Sequence, residues 1–147
     1  VRLPDTSFSF ANCARSLVYG AMVTLKLGMD ILAGENVRMD SLLGHGGFFK
    51  TPGTAQKLLA GALNTPVSVM ETAGEGGPWG MALLAAYRVH REKDETLEDY
   101  LAHHVFAGAN SVTIEPDAED VQGFAVYARR FEEGLSAERA AVSALKV

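Results

Sequence analysis

A chain of 147 residues has the length of about one domain. With 48% hydrophobic and 21% charged residues it sits near the globular average, which excludes a disordered tail, a collagenous repeat and a simple coiled coil. Lys and Arg number 13 against 18 Asp and Glu, a formal net charge of -5, and no basic run offers a general grip on nucleic acid. The one cysteine, Cys13, cannot form an internal disulfide, so a reducing, cytoplasmic compartment is expected. Arg15, Lys26, Asp30 and Arg88 interrupt the apolar tracts, so neither a membrane span nor a secretory signal is expected. The chain starts at Val1 rather than Met, which reads as a piece of a longer protein.

In chain order, residues 1–10 read as a loop, and Asn12 as the cap of a helix over 13–32. Leu17, Ala21, Leu25, Gly28 and Leu32 share one face of that helix, and Gly34-Glu35-Asn36 closes it. A short strand is expected over 37–43, running straight into Gly44-His45-Gly46-Gly47. Thr51-Pro52 reads as cap and first position of a helix over 53–63, with Leu58, Leu59 and Ala62 toward the core. Asn64-Thr65-Pro66 is a turn, 67–70 a second strand, and 71–78 a glycine-rich loop. The helix over 79–89 is apolar all round, which predicts burial on every side. Residues 90–95 form a charged turn, and Thr96 caps a helix to 105. An edge strand or loop surrounds Val112-Thr113-Ile114. Asp117 starts a helix to 134, and Ser136 caps a last one. Two strands that each lead through glycines into a helix predict an α/β layer.

Two elements carry the candidate chemistry. Gly44-His45-Gly46-Gly47 lies between strand and helix, where glycines admit a close ligand and the helix start supplies free N–H groups and a positive dipole end. It is neither the dinucleotide fingerprint nor a P-loop, and alone it reads equally well as a tight structural turn. The second element is 71–82, whose Gly80 and Ala82 are small residues at the start of the apolar helix. Glu71 and Glu75 are carboxylates with no pattern that makes them catalytic. His45, His90, His103 and His104 lack metal-ligand spacing, so no metal site is expected from this chain. Cys13 reads as an inert buried thiol, Trp79, Tyr87, Tyr100 and Phe106 as packing aromatics, and Arg129-Arg130 with Glu132-Glu133 as a solvated helix face.

Taken together and in order, these elements resemble the carboxy-terminal domain of the FGGY carbohydrate kinases. The residues that carry the resemblance are Ala14-Arg15-Ser16-Leu17-Val18-Tyr19-Gly20, Leu42 to Gly47, Gln56-Lys57-Leu58-Leu59-Ala60, Pro66-Val67-Ser68-Val69 and Gly80-Met81-Ala82-Leu83-Leu84-Ala85. It covers residues 12–87, and the helical tail fits the L-ribulokinase-like branch. Two departures stand out: His45 interrupts the family's glycine run, and Tyr19 stands where an acidic residue is common. The resemblance implies an α/β fold, the partial second lobe of an actin-like (ribonuclease H-like) ATPase with a helical tail. Residues 1–147 would then be the carboxy-terminal nucleotide-binding lobe. It implies in-line phosphoryl transfer from ATP, with Mg²⁺, to a pentulose such as L-ribulose or D-xylulose. Gly44, His45, Gly46, Gly47 and Gly80 would face the nucleotide. The sugar contacts and the aspartate base would lie upstream, so these residues alone are expected to be inactive. The expected partners are ATP or ADP and, through the upstream lobe, the sugar, with no nucleic acid, no membrane and self-association through exposed apolar surface. The alternative is a non-catalytic module using the same fold for protein contact or regulation, and a weaker one is an unrelated α/β domain whose glycine turns are structural.

Overall fold

The computed structural model describes Pro4 and residues 6–145. Its elements are α1 (Phe10–Gly34), β1 (Leu42–Gly44), α2 (Thr54–Leu63), β2 (Val67–Met70), α3 (Gly76–His90), α4 (Leu97–Tyr100), β3 (Ser111–Ile114) and α5 (Ala118–Ala144). Short 3₁₀ turns at Gly47–Lys50 and Ala73–Glu75 precede α2 and α3, and a π turn, Leu101–Val105, follows α4. The chain forms two compact units: Val1–Met39 with Leu59–Asn64 and Pro116–Val147, and Asp40–Leu58 with Thr65–Glu115.

The first unit pairs α1 with α5 through an aromatic core. Tyr19 meets Phe124 edge-on with ring centroids 4.9 Å apart, and Tyr127 at 5.3 Å. The Tyr127 hydroxyl donates to the Ser16 carbonyl at 3.2 Å. Gly61 of α2 comes so close to α5 that a Cβ there would lie 2.8 Å from the Asp120 Cβ. The buried face of α1 is Tyr19, Met22 and Val23, not the face of Leu17, Leu25 and Leu32; Leu17 is 74% exposed. The aromatic and large residues one step round the helix match the α5 rings, and they decide which face turns inward. Ser9, not Asn12, caps α1: its Oγ accepts the Asn12 N–H at 3.2 Å, while the Asn12 amide turns back to the Ser7 carbonyl. Asn36, at φ 62°, closes the helix in left-handed geometry as expected. Contrary to the expectation that no stretch is long and apolar enough to cross a membrane, α1 meets that test by length and composition. Core helices of soluble proteins meet it too. The α5 helix runs unbroken to Ala144, because the Ser136 hydroxyl donates to the Glu133 carbonyl inside the helix rather than capping a new one.

The second unit holds the sheet, in the order β1-β2-β3. β1 and β2 are parallel, with Leu42 opposite Val67 and Gly44 opposite Val69; β3 is the antiparallel edge strand that the sequence left between strand and loop. Gln56, 4% exposed, fastens α2 to this sheet. Its Nε2 donates to the carbonyls of Val67 at 2.8 Å and Val112 at 2.6 Å, joining β2 to β3. Thr51 ends the 3₁₀ turn after β1 instead of capping α2, which opens at Thr54 behind Gly53 at φ 73°. None of α3 is fully buried, although its composition predicts burial all round. Trp79, Leu83, Ala86 and Tyr87 form one half-buried stripe at helical spacing, and Met81 and Val89 on the other side are each 74% exposed. Thr96 caps α4 as its sequence indicates, accepting the Asp99 N–H at 3.1 Å.

Two measurements check this packing. Replacing Gln56 by Leu leaves two strand carbonyls without their side-chain donor and is expected to cost about 1–3 kcal/mol in urea unfolding. The hydroxyls of Tyr19 and Tyr127 titrate above their ordinary value, because burial disfavours the phenolate; beside Tyr19, Arg15 lowers and Asp120 raises its value by smaller amounts. A raised folded value means the folded state keeps protons that the unfolded chain releases. The stabilisation is therefore complete below pH ~10 and lost as pH rises through the folded values. The melting temperature should fall more steeply above pH ~10 in the wild type than in a Tyr19→Phe, Tyr127→Phe double variant.

Candidate functional site

The two parallel strands end side by side, and each runs at once into a glycine turn. In doubly wound sheets the crevice beyond the carboxyl ends of parallel strands is where ligands bind. The turn after β1 is Gly44-His45-Gly46-Gly47, and the turn after β2 leads through Ala73–Glu75 into α3.

The second unit joins them. The Gly46 N–H donates to the Ala73 carbonyl at 2.6 Å, and the Gly46 carbonyl accepts from the Phe49 N–H at 3.0 Å. Gly46 has φ 99° and ψ 179°, a region essentially closed to side-chain-bearing residues. A Cβ on Gly76 would lie 3.0 Å from the His45 Cβ and 3.5 Å from the Gly46 nitrogen, so the start of α3 touches the first turn without a side chain between them. Gly74 rests against the aliphatic stem of Lys50. The His45 imidazole stacks on the Trp79 indole with centroids 6.4 Å apart and planes 19° from parallel, and Phe106 tilts against Trp79 at 5.9 Å.

The five residues singled out by sequence fall into two kinds. Gly44 is buried under the Phe49 ring, where a Cβ would approach ring carbons to 2.5 Å, and Gly46 is held by its backbone angle. These two shape the turn. Gly47 and Gly80 have open space at the Cβ position, so nothing in the chain itself requires glycine there. His45 sits between, half-buried, with Nδ1 shielded from solvent and without a hydrogen-bond partner among the described residues. Ala73, Gly76 and Trp79 all lie in the 71–82 element that the sequence singles out, although none of the three is named there as a site residue. Gly76 in Gly74-Glu75-Gly76-Gly77 was the available signal for Gly76, whereas Ala73 acts through its backbone carbonyl and leaves no trace in residue type.

The arrangement suits a nucleotide. It offers exposed backbone at Gly47 and a helix start at Gly76 with no acidic residue in its first turn. Mg²⁺ is a different matter: among the described residues no group of three or more His, Cys, Asp or Glu side chains could hold a metal ion. Glu71, exposed, accepts from the Asn110 amide at 3.5 Å, and His104 pairs with Glu95 at 3.1 Å. In the first unit, a separate cavity of about 810 Å³ is lined by Phe8, Cys13, Tyr19, Tyr127 and Phe131 among others and contains none of the five residues. Cys13 there is half-buried and free.

Comparison with known proteins agrees with this architecture. Residues 3–89 match the family model described as the C-terminal domain of the FGGY family of carbohydrate kinases. The structure is similar to that of a ligand-bound xylulose kinase from Lactobacillus acidophilus, with a TM-score of 0.61 and 20% sequence identity. That likeness covers 90% of this chain and 24% of the kinase, so the chain spans about a quarter of its structural relative. It shows a mixed α/β fold, matching the carboxy-terminal domain of the actin-like ATPase fold. No curated protein matches the sequence.

The two kinds of glycine should separate on substitution. Gly46→Ala is expected to lower stability by about 1–3 kcal/mol through its backbone angle. Gly80→Ala, in an open helical position, should be neutral or stabilising by up to about 1 kcal/mol. Thermal unfolding of the two variants beside the wild type reads the difference.

Proposed function

Because the chain belongs to the FGGY family of carbohydrate kinases, we propose that it forms the carboxy-terminal lobe of a pentulose kinase and contributes the adenosine side of the ATP site. The observation that carries this reading is the union of the two glycine turns at the ends of parallel strands, fastened by the Gly46–Ala73 hydrogen bond at 2.6 Å. L-ribulose and D-xylulose are the proposed acceptors. The helical tail favours the first, and the structural relative, a xylulose kinase, is consistent with the second.

In this reading the glycine turns position rather than react. Gly47 and Gly80 carry no side chain into the space beside them, which leaves room for a nucleotide against the backbone. The backbone angle of Gly46 and its tie to Ala73 hold the two turns at one spacing, so little reorganisation is needed when the nucleotide arrives. Mg²⁺, bound with the nucleotide, would neutralise charge on its phosphates, and among the described residues no group of three or more His, Cys, Asp or Glu side chains could hold it. Removal of the sugar hydroxyl proton is assigned to an aspartate elsewhere in the protein.

The test is ADP and ATP·Mg²⁺ binding by the full-length protein, followed by thermal shift and by phosphorylation of the two pentuloses. Ligand at about a hundred times its dissociation constant should add roughly 2.7 kcal/mol of stability. Gly47→Val should keep the fold, since its side chain enters open space, and lose that increment. A wild type that neither binds ADP nor phosphorylates either sugar would contradict the proposal.

A further inference from the structure

We propose that Phe106 is a positioning residue for the nucleotide side of this lobe: it braces Trp79, and through Trp79 the glycine-rich start of α3. The inference rests on the function proposed above and extends the site to a segment beyond residues 3–89, the part that matches the family.

The start of α3 has few side chains to hold it. Its first five residues are Gly76-Gly77-Pro78-Trp79-Gly80, and no described residue of the helix is fully buried. Glycines lose the most conformational freedom on ordering, so such a start needs fixing from outside. Trp79 is its one large side chain. The indole meets the His45 imidazole at 6.4 Å and the Phe106 ring at 5.9 Å. His45 belongs to the turn after β1, whereas Phe106 belongs to neither glycine turn and supports the indole independently of both. Phe106 is itself held in place. Its N–H donates to the Leu101 carbonyl at 2.8 Å, directly after the π turn Leu101–Val105. Ahead of that turn Tyr100, 9% exposed, packs on Tyr87 of α3 with centroids 5.4 Å apart. Within it the His104 ring lies 5.0 Å from the Tyr100 ring, and His104 pairs with Glu95 at 3.1 Å. The segment is thus tied to the last turns of α3 through Tyr87 and to its first turn through Phe106. Both ties are aromatic, and such pairs contribute beyond the area they bury. Removing the Phe106 ring frees Trp79 on that side and loosens the start of α3, while every residue of the glycine turns stays as it is.

The experiment compares wild type, Phe106→Ala and Phe106→Tyr in the full-length protein. It reads ADP affinity, the KM for ATP and for the pentulose, and tryptophan emission, with a Trp79→Phe variant to assign the signal. Phe106→Ala should move Trp79 emission, weaken ADP binding and raise the KM for ATP by about three- to tenfold, and leave the KM for the sugar unchanged. Phe106→Tyr keeps the ring at a position 37% exposed and should restore the wild-type values. A merely structural role gives a different pattern, in which fewer active molecules lower the apparent kcat with both KM values unchanged. That pattern would overturn the inference. So would a shifted Trp79 emission with ADP affinity at the wild-type value, which would leave the nucleotide site in place. A wild type that binds no ADP would overturn the nucleotide reading, and this inference with it. Should Phe106→Ala fail to fold, Phe106→Leu, which keeps an apolar side chain without the ring, decides: weaker ADP binding with an unchanged KM for the sugar supports the bracing role, and wild-type ADP affinity refutes it.

Discussion

The hydrogen bond from the Gly46 N–H to the Ala73 carbonyl, 2.6 Å long, is the constraint on which the second unit's site depends. It joins backbone that follows β1 to backbone that follows β2, and no side chain takes part. Everything around it makes that joint possible. Gly46 supplies a φ of 99°, Gly76 lets the first residue of α3 come against His45, and Gln56 holds β2 and β3 in register behind the turns. A Cβ at Gly76 would press on the His45 Cβ from 3.0 Å and wedge the two turns apart. The glycines of the two turns are therefore of two sorts, those that the local geometry requires and those that leave space in front of them.

This distinction gives the site its chemistry. Gly44 and Gly46 are required by the fold, while Gly47 and Gly80 face open space and are required by nothing in the chain. A residue that the fold does not need to be glycine is the better pointer to a ligand. Between these glycines stands His45, the one side chain of the 44–47 run. The ring is accommodated by stacking on Trp79, and it carries a nitrogen with no partner. In the function proposed above, a carboxy-terminal domain of the carbohydrate kinase family with these features would hold a nucleotide mainly through backbone.

Much of this was legible in the residues. Val67-Ser68-Val69-Met70 forms the expected strand, Thr96 and Asp117 cap the helices they precede, and the glycine runs sit where strand passes into helix. Local chemistry decides each of these, so sequence suffices. The inward faces were not legible in the same way. On α1 the apolar residues go nearly all round, and the choice of Tyr19, Met22 and Val23 over Leu17 and Leu25 is made by Phe124 and Tyr127, over a hundred residues along the chain. On α3 composition alone predicts burial all round, whereas its large side chains are half-buried along one stripe, Trp79, Leu83 and Tyr87. Ser136 failed as a cap because a hydroxyl inside a helix can satisfy itself on the Glu133 carbonyl.

The central claim is that both turns belong to one nucleotide-facing surface, and hydrogen exchange of the full-length protein with and without ADP tests it most directly. The account predicts that ADP slows exchange at amides of Gly44–Gly47 and of Gly76–Gly80 together, and leaves α5 unchanged. Protection at only one of the two turns, or protection of α5 with neither turn affected, would contradict it.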